Sequence, residues 1–562
     1  MELTYPLATA TAGEGALGPW RRAWALITLD RSEIWLCVVY SIAIGLLSLI
    51  TPIAVQALVN TVSFGSVLQP MIVMTVLVAI GLSFAGVTRV LQAYVVEGLQ
   101  ERMLVRGVID LSNRLLTAEP AALRAVHGPT LAQRFFEMPT LQKSLSSVVV
   151  EGIDLLLKLA VGLPLLAFYH PLLLAFALLL LVMIAFVVFV LGRGVLATAI
   201  GESSAKYEAA NWLEHLARMP AAFRSESARR DAGLRSSVVA QRYREARRAH
   251  FRKLLRHLVG GIALKVIGAT LLLGVGGALV IQSQLTLGQL VAAELVFASI
   301  ALAMLKLYKQ LEAAYDLVAS TYKLGDLLDL PLERVGGEPL AGDGPASLTL
   351  TGVTAGHGTP VLTSVELAIA AGECVAVTGA GGSGRSTLLD VMAAELPPQQ
   401  GLIEIGGCDL RMLDLASVRQ AVALVRDPEL VASTIHANLR LPNRDTTLAE
   451  VEDALHAVEL SSVVSRLPSG LKTEVVPSGS PLSRTQARRL SLARVLIARP
   501  RVVLFDGALD DLGLPEAARD RVLDRLLGPT APWTAVVVTT DPAVIARCSR
   551  IVTLSDGRLE ER

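Results

Sequence analysis

Val375-Ala376-Val377-Thr378-Gly379-Ala380-Gly381-Gly382-Ser383-Gly384-Arg385-Ser386-Thr387-Leu388-Leu389 is the stretch on which the reading of this chain turns. It reads as a buried strand, a glycine loop, and a helix opening near Ser386. The spacing is that of a phosphate-binding P-loop, G-x-x-x-x-G-K-[ST], with Arg385 at the lysine position. Glycines let backbone N–H groups curl around phosphate oxygens, and the helix N-terminus adds its positive dipole end. The nucleotide contacts this predicts are Gly379, Gly381, Gly382, Ser383, Gly384, Arg385, Ser386 and Thr387. Arg385 would meet the β- and γ-phosphates of ATP, and Ser386 would ligate Mg2+.

A second element agrees with the first. Val502-Val503-Leu504-Phe505-Asp506 is an apolar strand ending in an acid, as needed to hold Mg2+ beside a P-loop. Around these two lies an alternation of strands and helices. Strands are expected at 347–351, 361–369, 373–378, 402–405, 501–505 and 534–539, with a final pair near 550–559. Helices are expected at about 447–466, 484–498 and 514–527. This pattern predicts an α/β domain with a largely parallel sheet over 347–562. A Gly/Pro-rich linker, 329–346, precedes it.

The rest of the chain is of another kind. Its 562 residues are 52% hydrophobic with mean hydropathy +0.54, too apolar for a soluble protein of this length. No charged residue lies between Glu33 and Arg89, between Lys158 and Arg193, or between Lys265 and Glu294. A membrane helix needs about 20 apolar residues. Six spans are therefore expected, at roughly 33–59, 69–95, 146–168, 171–192, 256–281 and 288–312, within a transmembrane region 33–328. Arginines crowd 99–125 and 193–256 and are missing from the loops near Ser63, His170 and Gln282–Gly288. The positive-inside rule then places both termini in the cytoplasm of an inner-membrane protein. Within the N-terminal region 1–32, the stretch Met1 to Leu17 lacks the basic start and cleavage site of a signal peptide, and Gly18–Trp24 reads as an interfacial amphipathic helix. Glu294, an acid inside a span, is a candidate for the substrate pathway. A net charge of +1 gives no nucleic-acid footprint, and the four scattered cysteines give no zinc site or disulfide framework.

Six spans with cytoplasmic extensions, a linker and a P-loop domain resemble a half-transporter of the ATP-binding cassette (ABC) exporter class, over nearly the whole chain. Leu482-Ser483-Arg484-Thr485-Gln486 stands where that class has its LSGGQ signature. The resemblance implies dimerisation with a second half, so that Ser483 and Gln486 reach a partner's nucleotide. It also implies that the reversals near 118–129 and 211–223 are coupling helices, and that His357 takes the place of the aromatic that stacks on adenine.

Departures from the family pattern cluster on the chemistry. Arg385 replaces the P-loop lysine, Arg426 the Q-loop glutamine, and Arg484 with Thr485 the two signature glycines. Gly507 stands at the catalytic glutamate position and Thr540 at the switch histidine position, so no catalytic residue is intact. A general base contributes roughly 10²–10⁴-fold, and its loss alone should cripple hydrolysis. The reading is a degenerate cassette that binds ATP and hydrolyses it poorly or not at all. It would work beside a competent partner half, in a heterodimer rather than a homodimer. The alternative is a pseudo-transporter in which nucleotide is structural or regulatory.

Overall fold

The computed structural model describes residues 21, 24, 28, 30–63, 68–126 and 131–561. Apart from Arg21 and Trp24, the expected interfacial helix at Gly18–Trp24 lies outside them, as does most of the region 1–32. The chain divides into two compact units: 1–118 with 126–331, and Glu119–Ala125 with Leu332–Arg562. The break after Pro331 falls where composition shifts. The inclusion of Glu119–Ala125 in the second unit is a long-range association that local sequence does not announce.

The first unit is all helix among its described residues. Five helical stretches are long and apolar enough to cross a membrane: Arg31–Thr61, Met71–Thr117, Pro171–Arg218, Glu226–Ile281 and Leu287–Gly325. The Glu226–Ile281 helix has 56 residues. At 1.5 Å per residue it runs about 84 Å, far beyond the roughly 30 Å hydrocarbon core of a bilayer. All of its arginines but Arg256 lie in the N-terminal half, and it is free of charge after Lys265. The expected span at 146–168 is built differently. It is an α-helix, Glu137–Ser147, a π-turn, Val148–Gly152, and a second α-helix, Ile153–Tyr169. Glu151, Asp154 and Lys158 sit in its first part, with Asp154 and Lys158 paired at 2.6 Å, so only its later turns are purely apolar.

Polar contacts fix the helices where they leave their apolar stretches. Arg106 pairs with Asp30 at 2.5 Å and Arg102 with Glu33 at 2.8 Å. Glu137 is only 2% exposed and accepts from the Ser320 hydroxyl at 2.5 Å and from Lys206 Nζ at 2.9 Å, tying three helices together. Removing this acceptor strands the buried Ser320 hydroxyl, at a cost of about 1–3 kcal/mol, while the half-exposed Lys206 turns to solvent. Glu137→Ala should therefore lower the melting temperature in detergent by several degrees, while Glu245→Ala, on the exposed arm of the Glu226–Ile281 helix, leaves it unchanged. Equal melting temperatures for both variants would refute this role for Glu137.

The second unit contains two main sheets. Strands β1 (Leu348–Ala355), β2 (Leu362–Ile369), β4 (Gln400–Ile405) and β5 (Cys408–Asp409) form an antiparallel sheet in the order β2-β1-β4-β5. Strands β3 (Cys374–Gly379), β6 (Val422–Val425), β9 (Val502–Asp506), β10 (Thr534–Val538), β11 (Arg550–Ser555) and β12 (Arg558–Glu561) form the second, in the order β12-β11-β3-β10-β9-β6. All its pairings are parallel except β11 with β12. A small two-stranded antiparallel sheet pairs β7 (Ser433–Thr434) with β8 (Glu474–Val475), which helices separate in the chain. The parallel strands are continuous apolar runs because both faces are covered, and Val375, Leu504, Val536 and Val552 are fully buried. Trp533 anchors the helical side, its indole N–H donating to the Leu526 carbonyl at 2.9 Å. Strand β3 ends at the glycine loop and β9 at Asp506, with β10 between them, so the sheet delivers both elements to one edge.

Candidate functional site: a P-loop closed by arginine

The loop after β3 has the shape its glycines allow. Gly382 and Gly384 adopt φ of +83° and +102°, a region where side chains are strained. A Cβ on Gly381 or Gly382 would meet nothing within 4 Å, so the loop faces open space there. Gly384 caps the Arg385–Met392 helix, whose N-terminus points into that space. The Ser383 hydroxyl is buried in the loop with no hydrogen-bond partner among the described residues. The Arg385 guanidinium makes no hydrogen bond or ion pair to a described residue, and Ser386 is exposed. This is a cradle for an anion with one uncommitted cation at its rim.

Arg426 changes the site's character. Strands β6 and β9 run parallel with Val425 opposite Phe505, so the next residue of each, Arg426 and Asp506, are neighbours. Arg426 Nε donates to Asp506 Oδ2 at 3.0 Å, and Nη2 donates to the Ser386 carbonyl at 3.0 Å. Nη1 lies 2.8 Å from Asp390 Oδ1. Asp390 is a buried acid on the P-loop helix, and its other oxygen is 3.4 Å from Arg124, a residue of the short segment that belongs to this unit. Sequence reasoning placed Arg426 at the Q-loop but did not find Asp390 or this network. Asp390 is one of several helix acids in the sequence, and only the fold brings it to the guanidinium.

Of the two expected Mg2+ ligands, Asp506 already accepts from Arg426 Nε through Oδ2, and Arg426 Nη2 donates to the backbone carbonyl of Ser386, whose side chain is exposed. A dication needs anionic oxygen, and the one carboxylate of this pair already holds the Arg426 cation against it. As arranged, the residues do not fit a Mg2+ ion.

The remaining positions are as follows. Gly507 has φ +65° and its N–H donates to the Val538 carbonyl at 3.0 Å; it offers no side chain. Thr540 is exposed just past β10, while its neighbour Thr539 is buried, donates to Asp510 and accepts from the Asp541 N–H. Ser483 and Gln486 are bonded to each other as a capping box at the start of the Arg484–Ala498 helix. The S-x-x-Q spacing is itself the signal for that cap. Arg484 pairs with Asp427 at 2.8 Å and holds that carboxyl below the usual range, though both are well exposed. His357 is exposed in the turn between β1 and β2. In the first unit, Glu294 is half-buried two turns into the Leu287–Leu328 helix. Cys374 and Cys548, far apart in sequence, are thiols with sulfurs 3.1 Å apart; that hydrogen bond, with burial, pushes the Cys374 thiol up.

Residues 362–510 match the family model described as ABC transporter. A multidrug efflux ATP-binding/permease protein of Mycobacterium tuberculosis is 32% identical over 334 residues, covering 58% of this chain and 27% of that protein. The exotoxin translocation ATP-binding protein PaxB of Pasteurella aerogenes is 26% identical over 325 residues, covering 56% and 45%. The chain thus spans about a quarter of the length of the first of these relatives and under half of the second. A solved bacterial Atm1-family ABC exporter with ATP bound superimposes with TM-score 0.82 at 20% identity, over 94% of each chain.

Proposed function

We propose that this chain, which has the ABC exporter fold and a matched ABC transporter domain, is the hydrolysis-impaired half of a dimeric exporter. It spans the inner membrane several times with both termini in the cytoplasm. It supplies half of a substrate pathway, binds ATP at its P-loop, and leaves turnover to a competent partner half. The cargo is of the kind that multidrug or protein-translocating relatives carry out.

The observation that carries this reading is Gly507. The residue after Asp506 has no side chain, so nothing there accepts a proton from an attacking water. Thr540 has no imidazole to orient that water, and Arg426 is bound to Asp506. The cradle survives while the acid–base groups are gone. The pseudo-transporter reading has one observation in its favour: Arg484 and Thr485 fill the signature where a partner's γ-phosphate would approach bare backbone.

Phosphate release by the purified chain in lipid nanodiscs tests the proposal. Turnover at the level of an empty-disc control is expected, with ATP still bound. Sustained turnover by the chain alone would refute it. Co-purification of a second cassette protein, with turnover restored in the complex, separates the heterodimer from the pseudo-transporter.

A further inference from the structure

We propose that Arg426 takes the place of the divalent cation, so that this cassette binds its nucleoside triphosphate without metal. The inference rests on the nucleotide-binding part of the function proposed above and goes beyond it by naming the form of the ligand.

The geometry is specific. All three guanidinium nitrogens are used: Nε on Asp506, Nη1 on Asp390 and Nη2 on the Ser386 carbonyl, at 2.8 to 3.0 Å. The Nε bond to the Asp506 carboxylate is charge-assisted, the strong kind, and with the Asp390 ion pair it holds the group where Asp506 would otherwise present oxygen to a metal. The arginine cannot lose its proton, so its charge is permanent. A dication entering the same place would have to displace it and leave a cation beside a cation. With Arg426 in place, two guanidinium groups lie at the loop, Arg385 uncommitted at the rim and Arg426 held at the edge of the sheet. A triphosphate with no metal can accept from Arg385 and from the Arg426 N–H groups not used on Asp506, Asp390 and the Ser386 carbonyl.

Asp390 completes the device. A single arginine beside Asp506 alone could swing away. Asp390, only 5% exposed and further along the P-loop helix, supplies a second anchor from below. Without Arg426 the buried acid would keep only its 3.4 Å contact to Arg124, and without Asp390 the arginine would lose one of its three holds.

The experiment is equilibrium binding of radiolabelled ATP to the full chain in nanodiscs, once with excess EDTA and once with excess Mg2+. Wild type should bind equally well, within about twofold, or better in EDTA. Arg426→Gln frees Asp506, and its affinity should become at least about tenfold weaker in EDTA than in Mg2+, the worth of one charge-assisted bond. Arg385→Gln, a rim cation, should weaken binding in both conditions by a similar factor. The wild-type comparison needs no variant, and melting curves check that Arg426→Gln folds. Binding by wild type only when Mg2+ is present would overturn the metal-free proposal while leaving ATP binding intact. No binding in either condition would overturn both.

Discussion

Gly507→Glu alone is expected to leave ATP turnover at background, whereas Gly507→Glu combined with Thr540→His and Arg426→Gln raises it at least about 10²-fold, the lower end of what a general base contributes. The single substitution fails for two reasons. Gly507 has φ +65°, where a residue with a Cβ costs about 1–2 kcal/mol, although the space is free, with only Asp510 Oδ2 at 3.9 Å. More seriously, a new carboxylate beside Asp506 would face a guanidinium that already binds Asp506, and would be drawn into that pair instead of holding water. Replacing Arg426 releases Asp506 for a metal, and the imidazole introduced by Thr540→His would orient the water. Arg385 and the Arg484-Thr485 signature stay, which limits the gain to the lower end of the range. Phosphate release in nanodiscs with Mg2+ measures all three proteins. Activity from Gly507→Glu alone would show that Arg426 does not block the site. A flat triple variant that still binds ATP would show that the lesion lies elsewhere, in Arg385 or the signature.

The parts of this site differ in how far the linear sequence reveals them, for physical reasons. The P-loop and Asp506 are legible because each is a local pattern: a doubly buried strand must be continuously apolar, and the glycines follow at fixed spacing. The expected helix at 484–498 coincides with Arg484–Ala498 because its start carries its own cap. The strand Val422–Val425 is too short to stand out, and with it goes the register that sets Arg426 beside Asp506. Asp390 looks like a solvated acid until the fold buries it. The π-turn at Val148–Gly152 inserts a residue into a helix without changing its composition, so hydropathy cannot see it. The association of Glu119–Ala125 with the second unit joins positions more than two hundred residues apart, and no window of sequence reports it.

Gly384→Val should abolish most nucleotide binding, lowering ATP affinity by at least about tenfold, and should also depress the melting temperature of the cassette. The conformation is the first cause. At φ +102° a β-branched residue is strained by about 1–3 kcal/mol, and each 1.4 kcal/mol is a factor of ten in an equilibrium. Contact is the second. A Cβ at this position lies 3.0 Å from Val361 Cγ1 and 3.1 Å from Leu362 Cδ2, so even the first added atom crowds the start of β2. The loop relieves both by splaying open, and the N–H groups of the cradle then converge on a phosphate only in a minor population. Apparent affinity falls by that fraction. Gly382→Ala separates the two causes: it has φ +83° but nothing within 4 Å of its Cβ, so it carries strain without crowding and should lose less. Titration with a fluorescent ATP analogue and a melting curve on each variant give the ranking wild type, Gly382→Ala, Gly384→Val. Wild-type affinity in Gly384→Val would mean that the triphosphate is not held by this loop, and the cassette's remaining claim to a nucleotide would go with it.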